Sequence, residues 1–290
     1  MSLKSFWSEQ SARRRAVAWE RTIRATCRFE EHLARERDPS VFSVLIAARA
    51  AERHLADCLD SILRTSLPPG VELEVVVAVD GCESTLVAAQ RYVAALPADA
   101  AGGVRVLHFR QHCGLFVIRN SLLMVSRGSF ALFVDADDAL MPGALSTLHA
   151  FAVNCAAVAP SFLIRPMSAI CDAQLAPMSG KRPRLIKGAI GISKTALEAL
   201  GGFAPWPCAG DRDFLRRAER ADIPVFAMPE PLVLYRQHDG QLTRSVETGM
   251  KTKLRAHYWK EVERRSARGV VKERPLVGIA VDVSAGEPAR

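Results

Sequence analysis

The sequence predicts an α/β protein built on a doubly wound, mostly parallel sheet with helices on both faces. Three observations carry that prediction. Apolar, β-branched runs recur at Phe42–Ala47, Glu74–Val79, Val104–Phe109 and Phe130–Val134. Segments with helical spacing separate them, and Asp80 and Asp135 stand where two of the runs end. Strands that are apolar throughout are buried on both faces, as in a parallel sheet between two helix layers. Ligands of such sheets sit beyond the carboxyl ends of the strands, so the two aspartates point to one shared site.

The elements follow in order. Residues 11–37 read as a basic amphipathic helix with Trp19, Ile23 and Cys27 on one side, broken by Asp38-Pro39-Ser40. After the first strand, Leu55, Cys58, Leu59, Ile62 and Leu63 recur at helical spacing until Pro68-Pro69-Gly70. Leu86, Ala89 and Val93 mark the next helix, and Gly114 opens another through Ile118, Leu122 and Val125. The second half is less regular. Ala156–Ile164 and Leu185–Ile186 read as strands joined by the polar stretch Arg165–Arg184. Ser193 caps a short helix ended by Gly201-Gly202. Asp211–Ala221 is a helix, and Val225–Met228 and Leu232–Tyr235 are short strands. Val246, Met250, Leu254, Tyr258 and Val262 make a basic amphipathic helix, and the last sixteen residues read as mobile or loosely packed.

Asp135-Ala136-Asp137 follows the apolar run Phe130–Val134 directly. In extended backbone the two carboxylates project to the same side, where they repel unless a positive group lies between them. A hard divalent cation, Mg²⁺ or Mn²⁺, shared with the phosphates of a nucleotide answers that need. The competing reading is a solvated acidic turn ahead of a helix at Pro142.

Composition narrows the classes. A chain of 290 residues, 49% hydrophobic, suits one globular domain with appendages. Seven scattered cysteines with no Cys-x-x-Cys pair suit reduced thiols in a cytosol. No apolar run approaches a membrane span and no signal-peptide pattern follows Met1, so the expected location is cytoplasmic. Residues 1–40 hold nine basic against six acidic side chains, and residues 244–274 ten against four. The remainder is close to neutral, so the net charge of +8 belongs to the ends. Such ends suit two solvated helices, or a peripheral contact with the inner face of a membrane. Aromatic residues able to stack on bases are sparse there, and nucleic acid is not an expected partner.

Over roughly residues 41–245 the chain resembles the inverting family 2 glycosyltransferases. Ser43–Arg49 looks like the family's opening strand, and Val75–Gly81 like the second strand with its nucleotide-contacting Asp. Gly114-Leu115-Phe116-Val117-Ile118-Arg119-Asn120 is similar to Gly-x-x-x-Ala-Arg-Asn, and Phe133–Asp138 followed by Pro142 to the Asp-x-Asp metal motif. Gly202-Phe203 with Asp211–Leu215 resembles the acceptor segment, and Tyr235-Arg236-Gln237-His238 the closing Tyr-Arg-x-His. Some positions depart. Ala47-Ala48-Arg49-Ala50 lacks the family's Pro and aromatic residue, Ile118 replaces a small residue, and Gly210-Asp211 lacks the usual Glu. No Gln-x-x-Arg-Trp is present, so processive polymer synthesis is not expected.

The resemblance implies a Rossmann-like GT-A fold over residues 41–245, with a nucleotide-binding half, 41–140, and an acceptor-binding half, 141–245. Residues 1–40 and 246–290 are then a basic helical extension and a basic helix with its tail. It implies transfer of a sugar, with inversion, from a nucleotide diphosphate sugar, UDP-linked first and dTDP-linked next, to an acceptor hydroxyl. Asp137 and His238 are the implied metal ligands, with Mn²⁺ or Mg²⁺ as cofactor, and Asp135 touches the ribose. Asp80, Arg119 and Arg236 are expected to contact the base or phosphates, with Ala48 and Glu52 contributing from the opening loop and Arg49 placed to stack on the base. Asp211 is the expected general base and Asp213 the second candidate. Arg165–Arg184 and Trp206 are expected to select the acceptor, be it a glycan, a lipid-linked sugar, a peptide or a small natural product. Two other readings stay open. One is a catalytically silent relative that binds sugar nucleotide or a partner. The other is a nucleotidyltransferase, which would place a Gly-rich loop where Ala47–Ala51 has none.

Overall fold

The computed structural model describes residues 3–31, 33, 37–97, 103–186 and 188–284. Four parallel strands, β2 (Asp38–Ala48), β3 (Glu72–Asp80), β4 (Val104–Phe109) and β5 (Gly128–Asp135), form one half of the sheet. The helices α2 (Leu55–Leu63), α3 (Glu83–Ala94) and α4 (Leu115–Val125) connect them. Alternate residues of each strand enter opposite cores. Val44, Ile46, Val75 and Val77 join a cluster with Leu55, Leu59 and Leu86 on one face. Leu45, Val76, Ala131 and Phe133 join Phe116, Ile118, Leu122 and Phe214 on the other. That two-sided burial is why these strands are apolar without a break over Val44–Ala48, Val75–Val79 and Phe130–Val134.

The sheet continues through β6 (Ala139–Leu140), β7 (Leu163–Cys171), β8 (Arg184–Leu185), β9 (Ile190–Ser193) and β10 (Val225–Arg236). With β12 (Val281–Asp282) at one edge, the order is β12-β4-β3-β2-β5-β9-β7-β10-β6, and β8 pairs with β7. β9 runs antiparallel to both β5 and β7, and β10 lies parallel to β7. The chain leaves β2 for β3 on one side and returns to β5 on its other side, which opens a crevice at their carboxyl ends. Helices α5 (Ala144–Val158), α6 (Lys194–Leu200), α7 (Gly210–Arg220) and α8 (Lys253–Ala267) cover the second half. The Ser193 hydroxyl caps α6 by accepting from Ala196 N, and Gly201 ends it in a left-handed conformation.

Several expectations change. The segment expected as a strand from Ala156 is helical to Val158, because the Ala-rich run continues α5 until Pro160, and β7 begins only at Leu163. The two short strands at 225–235 are one strand, whose register against β7 shifts between Ala227 and Val233, around Pro229 and Pro231. The C-terminal helix starts at Lys253, where the Thr252 hydroxyl accepts from Arg255 N; Val246 and Met250 lie before it and are exposed.

The ends are woven into the body. α1 (Leu3–Thr26) stops before the expected Arg37, and residues 32 and 34–36 of that expectation lie outside the described residues. β1 (Arg28–Phe29) pairs with β11 (Leu276–Val277), while Lys260 Nζ on α8 meets Glu9 Oε1 on α1 at 2.5 Å. The tail expected to be loose is ordered through Ser284: Leu276 and Val277 are buried, and β12 covers the otherwise unpaired edge of β4. Residues 285–290 lie outside the described residues.

Candidate active site

β5 ends at Asp135, and the next three residues form a turn closed by Asp138 N donating to Asp135 O at 3.0 Å. The carboxylates therefore gather through a turn and not through strand alternation. Asp135, Asp137 and Asp138 each offer an oxygen within 4.8 Å of the others. Burial, reinforced by the Asp135 charge, pushes the Asp137 carboxyl above its ordinary range, and His238 opposes the shift. His238 Nε2 lies 3.0 Å from Asp137 Oδ2, and His54 packs on the His238 ring at 4.7 Å. Asp138 is fully buried and accepts the backbone N–H of Arg236 at 2.9 Å, tying β10 to the acidic turn. Its carboxyl is pushed well up, first by burial and then by Asp137 and Asp135. Hard oxygen donors carrying excess negative charge fit a divalent cation.

Two buried arginines frame this turn. Arg119 donates from Nη2 to Asp135 Oδ1 and to Gly188 O, both at 2.8 Å, beneath the Phe133 ring. Arg119, expected as a base or phosphate contact, thus holds Asp135 at the cleft wall. Arg236 does not line the cleft at all. Its Nε donates to Asp137 O, Nη1 to Ala173 O and Nη2 to Asp57 Oδ2, at 2.6 to 2.9 Å. A guanidinium with those donors satisfied inside the protein is a clamp, which corrects the expectation of a phosphate partner.

Asp80, at the end of β3, is buried in the cleft wall. It accepts from Cys113 N at 2.6 Å and Gly114 N at 2.9 Å, with His112 Nδ1 at 2.7 Å. Arg49 Nη1 donates to the carbonyls of Asp80 and Gly81, bridging the ends of β2 and β3. Ala48 lines the same cleft. Glu52 does not: it is exposed, and its carboxylate accepts from Thr85 Oγ1, which corrects the expectation that it reaches the nucleotide.

Asp211 lines the same cleft from the first turn of α7. Asp213 is buried away from the cleft between Arg217 Nε at 2.7 Å and Arg265 Nε at 3.0 Å, a structural ion pair that removes it as a base. Trp206 packs on Tyr258 under Arg265 and does not line the cleft. Ala48, Asp80, Arg119, Asp135, Asp137, Asp211 and His238 thus share one cleft of about 870 Å³. His54, His112, Asp138 and Gly188 were not singled out from sequence; only Asp138, next to Asp137, carried a local signal.

Residues 43–168 match the family model described as Glycosyl transferase family 2. That segment is similar to the family 2 glycosyltransferases. Among solved structures, Staphylococcus aureus TarS 1–349 in complex with UDP-GlcNAc superposes with a TM-score of 0.58 at 19% identity. The match covers 79% of this chain and 66% of that one. TarS 1–349 with UDP gives 0.55 at 18% identity, over 79% of this chain and 64% of the other, so this chain spans just under two thirds of the TarS fragment. The mannosyltransferase PcManGT from Pyrobaculum calidifontis, in complex with GDP-Man and Mn²⁺, gives 0.57 at 15% identity, over 89% and 72%. No curated protein matches the chain in sequence. The fold is the GT-A type, a mixed α/β architecture around a central, mostly parallel sheet.

Proposed function

We propose that this glycosyltransferase moves a sugar, with inversion, from a nucleotide diphosphate sugar to an acceptor hydroxyl, with a divalent metal and with UDP-sugar as the first candidate donor. The observation that carries the reading is that the acidic turn and Asp211 line one cleft. Asp137 and His238 would hold the cation, with Asp135 toward the ribose and Asp80 and Ala48 at the nucleoside. A cation held there neutralises charge that develops on the leaving diphosphate. Asp211 accepts the proton of the acceptor hydroxyl as that oxygen bonds to the anomeric carbon. The bond from that carbon to the diphosphate oxygen breaks on the opposite face, which gives inversion.

Within the same proposal the enzyme works in the cytoplasm, in peripheral contact with an anionic membrane surface through the basic α1 and α8. Among the described residues no helix is long and apolar enough to cross a membrane.

One observation favours a second reading, a silent relative that binds sugar nucleotide without turnover: the Asp80 carboxylate already engages three partners. UDP release from a panel of UDP-sugars with Mn²⁺ or Mg²⁺ tests both. Asp211→Asn is expected to keep UDP binding and lower transfer by about 10²–10⁴-fold, the usual worth of a general base. Full transfer by Asp211→Asn would overturn the assignment of the base. UDP binding with no turnover for any acceptor would favour the silent relative.

A further inference from the structure

The cleft is lined by more arginines than aspartates. Two of them brace the strand ends that carry its carboxylates, Arg49 donating to the carbonyls of Asp80 and Gly81 and Arg119 to Asp135. Four others line the same cleft as Asp211: Arg184 on β8, Arg212 on α7, Arg244 after β10 and Arg255 on α8. Their donors are only partly used. Arg212 gives Nη2 to Glu263, and its buried Nε has no hydrogen-bond partner. Arg244 gives Nη1 to the fully exposed Asp239, and Arg255 gives Nε to Thr248 O. The Arg184 side chain is exposed, with no hydrogen bond or ion pair among the described residues.

Their shared wall follows from backbone and side-chain ties. Arg255 Nε holds Thr248, and Met250 N donates to Thr243 O, which folds the Arg244 segment onto α8. Arg165, half-buried and within the field of Asp211, donates Nη2 to Leu185 O and so sets β8 beside the same carboxylate. With Arg49 and Arg119 the four arginines outnumber the lining aspartates, and positive charge in a concave site concentrates anions. Planar guanidinium forks match the oxygens of phosphates and carboxylates.

We infer that the acceptor carries a fixed negative charge, a phosphate or a carboxylate, close to the hydroxyl that receives the sugar. This deepens the proposed function and rests on Asp211 marking the acceptor side. The donor pyrophosphate is a competing use for these arginines, so the test occupies the donor site first.

Isothermal titration calorimetry on the full chain, saturated with UDP and Mn²⁺, would compare glucose 6-phosphate, glucuronate and glucose as probes. At least one anion is expected to bind about tenfold or more tightly than glucose, the worth of a charge-assisted contact; which anion wins names the group. Arg184→Ala with Arg244→Ala is expected to remove the preference, and Arg184→Lys with Arg244→Lys to restore part of it. Both side chains are exposed, and an unchanged Tm would verify that the pair still folds. Equal affinity for glucose, a preference that survives the double alanine variant, or a loss falling on UDP instead would each overturn the inference. Absence of UDP binding by the unsubstituted chain would overturn the nucleotide reading and this inference together, whereas UDP binding without an anion preference overturns this one alone.

Discussion

Neutralising Asp137 should stabilise the metal-free protein while abolishing its transfer activity. Its carboxylate shares a 4.8 Å cluster with Asp135 and Asp138. Two unit charges at that separation, with an effective dielectric of about 20, repel by roughly 3 kcal/mol. Arg119 beside Asp135 and His238 beside Asp137 offset part of this, leaving a net relief of about 1–2 kcal/mol for Asp137→Asn. Asn keeps an oxygen facing His238 Nε2. At about 2–4 °C per kcal/mol, differential scanning fluorimetry in EDTA at pH 7 should place the variant a few degrees above the parent. The sign with pH is fixed by the raised carboxyl. Below the unfolded value, about 3.9, both states bind the proton and the cost vanishes. It grows as pH rises through the raised folded value, so the gap in Tm should close toward pH 4. Added Mn²⁺ should raise the parent's Tm more than the variant's. A variant equal to or below the parent at pH 7 in EDTA, with the same response to Mn²⁺, would refute the reasoning.

Other perturbations separate positioning from chemistry. A Cβ on Gly188 would stand 2.0 Å from Asp135 Oδ2, so Gly188→Ala should displace that carboxylate and lower UDP release by about 10²-fold, with the circular dichroism spectrum unchanged. Asp213→Asn breaks a buried ion pair and should cost about 3–5 kcal/mol in urea unfolding, while kcat measured well below its Tm stays near that of the parent. Burial raises the Cys82 thiol, but hydrogen bonds from Ser84, Thr85 and the Ala50 N–H outweigh it and bring the pKa to about 7. Its alkylation by iodoacetamide should therefore reach half its maximal rate near pH 7, with thiolate prevailing above that value, and a midpoint above pH 8 would contradict the geometry.

What the sequence disclosed and what it hid divide along a physical line. The strands β2 to β5 were legible because burial on both faces favours long apolar runs such as Val44–Ala48 and Phe130–Val134, and Asp135 and Asp137 because they stand where such a run stops. The role of Arg236 was not. In sequence it looks the same whether it reaches a phosphate or Asp57, a residue 179 positions away, and only the chain path decides between them. Asp211 and Asp213 likewise lie two residues apart on one helix, about 200° around its axis, which turns one into the cleft and the other onto Arg217. The two-residue strands β11 and β12 carry no periodicity to read, since edge pairing and not amphipathic repetition holds them.

The N-terminal extension braces the end of β3. Its Trp19 donates from Nε1 to Pro205 O at 3.0 Å, and its ring covers Gly114, where any Cβ would lie 2.6 Å from the indole. Gly114 has a φ of 85°, a conformation glycine adopts without strain. The same residue donates its N–H to Asp80, and His112, two residues earlier, packs edge-on against Trp19. A chain of contacts therefore runs from α1 through the 112–114 loop to the carboxylate at the end of β3. From the other end of the chain, β11 sets Leu276 and Val277 into the core that contains Phe116 and Ile118 of α4, the helix Gly114 opens. The basic ends thus pack against the 112–114 loop and the helix that follows it, a duty their charge alone would not have disclosed.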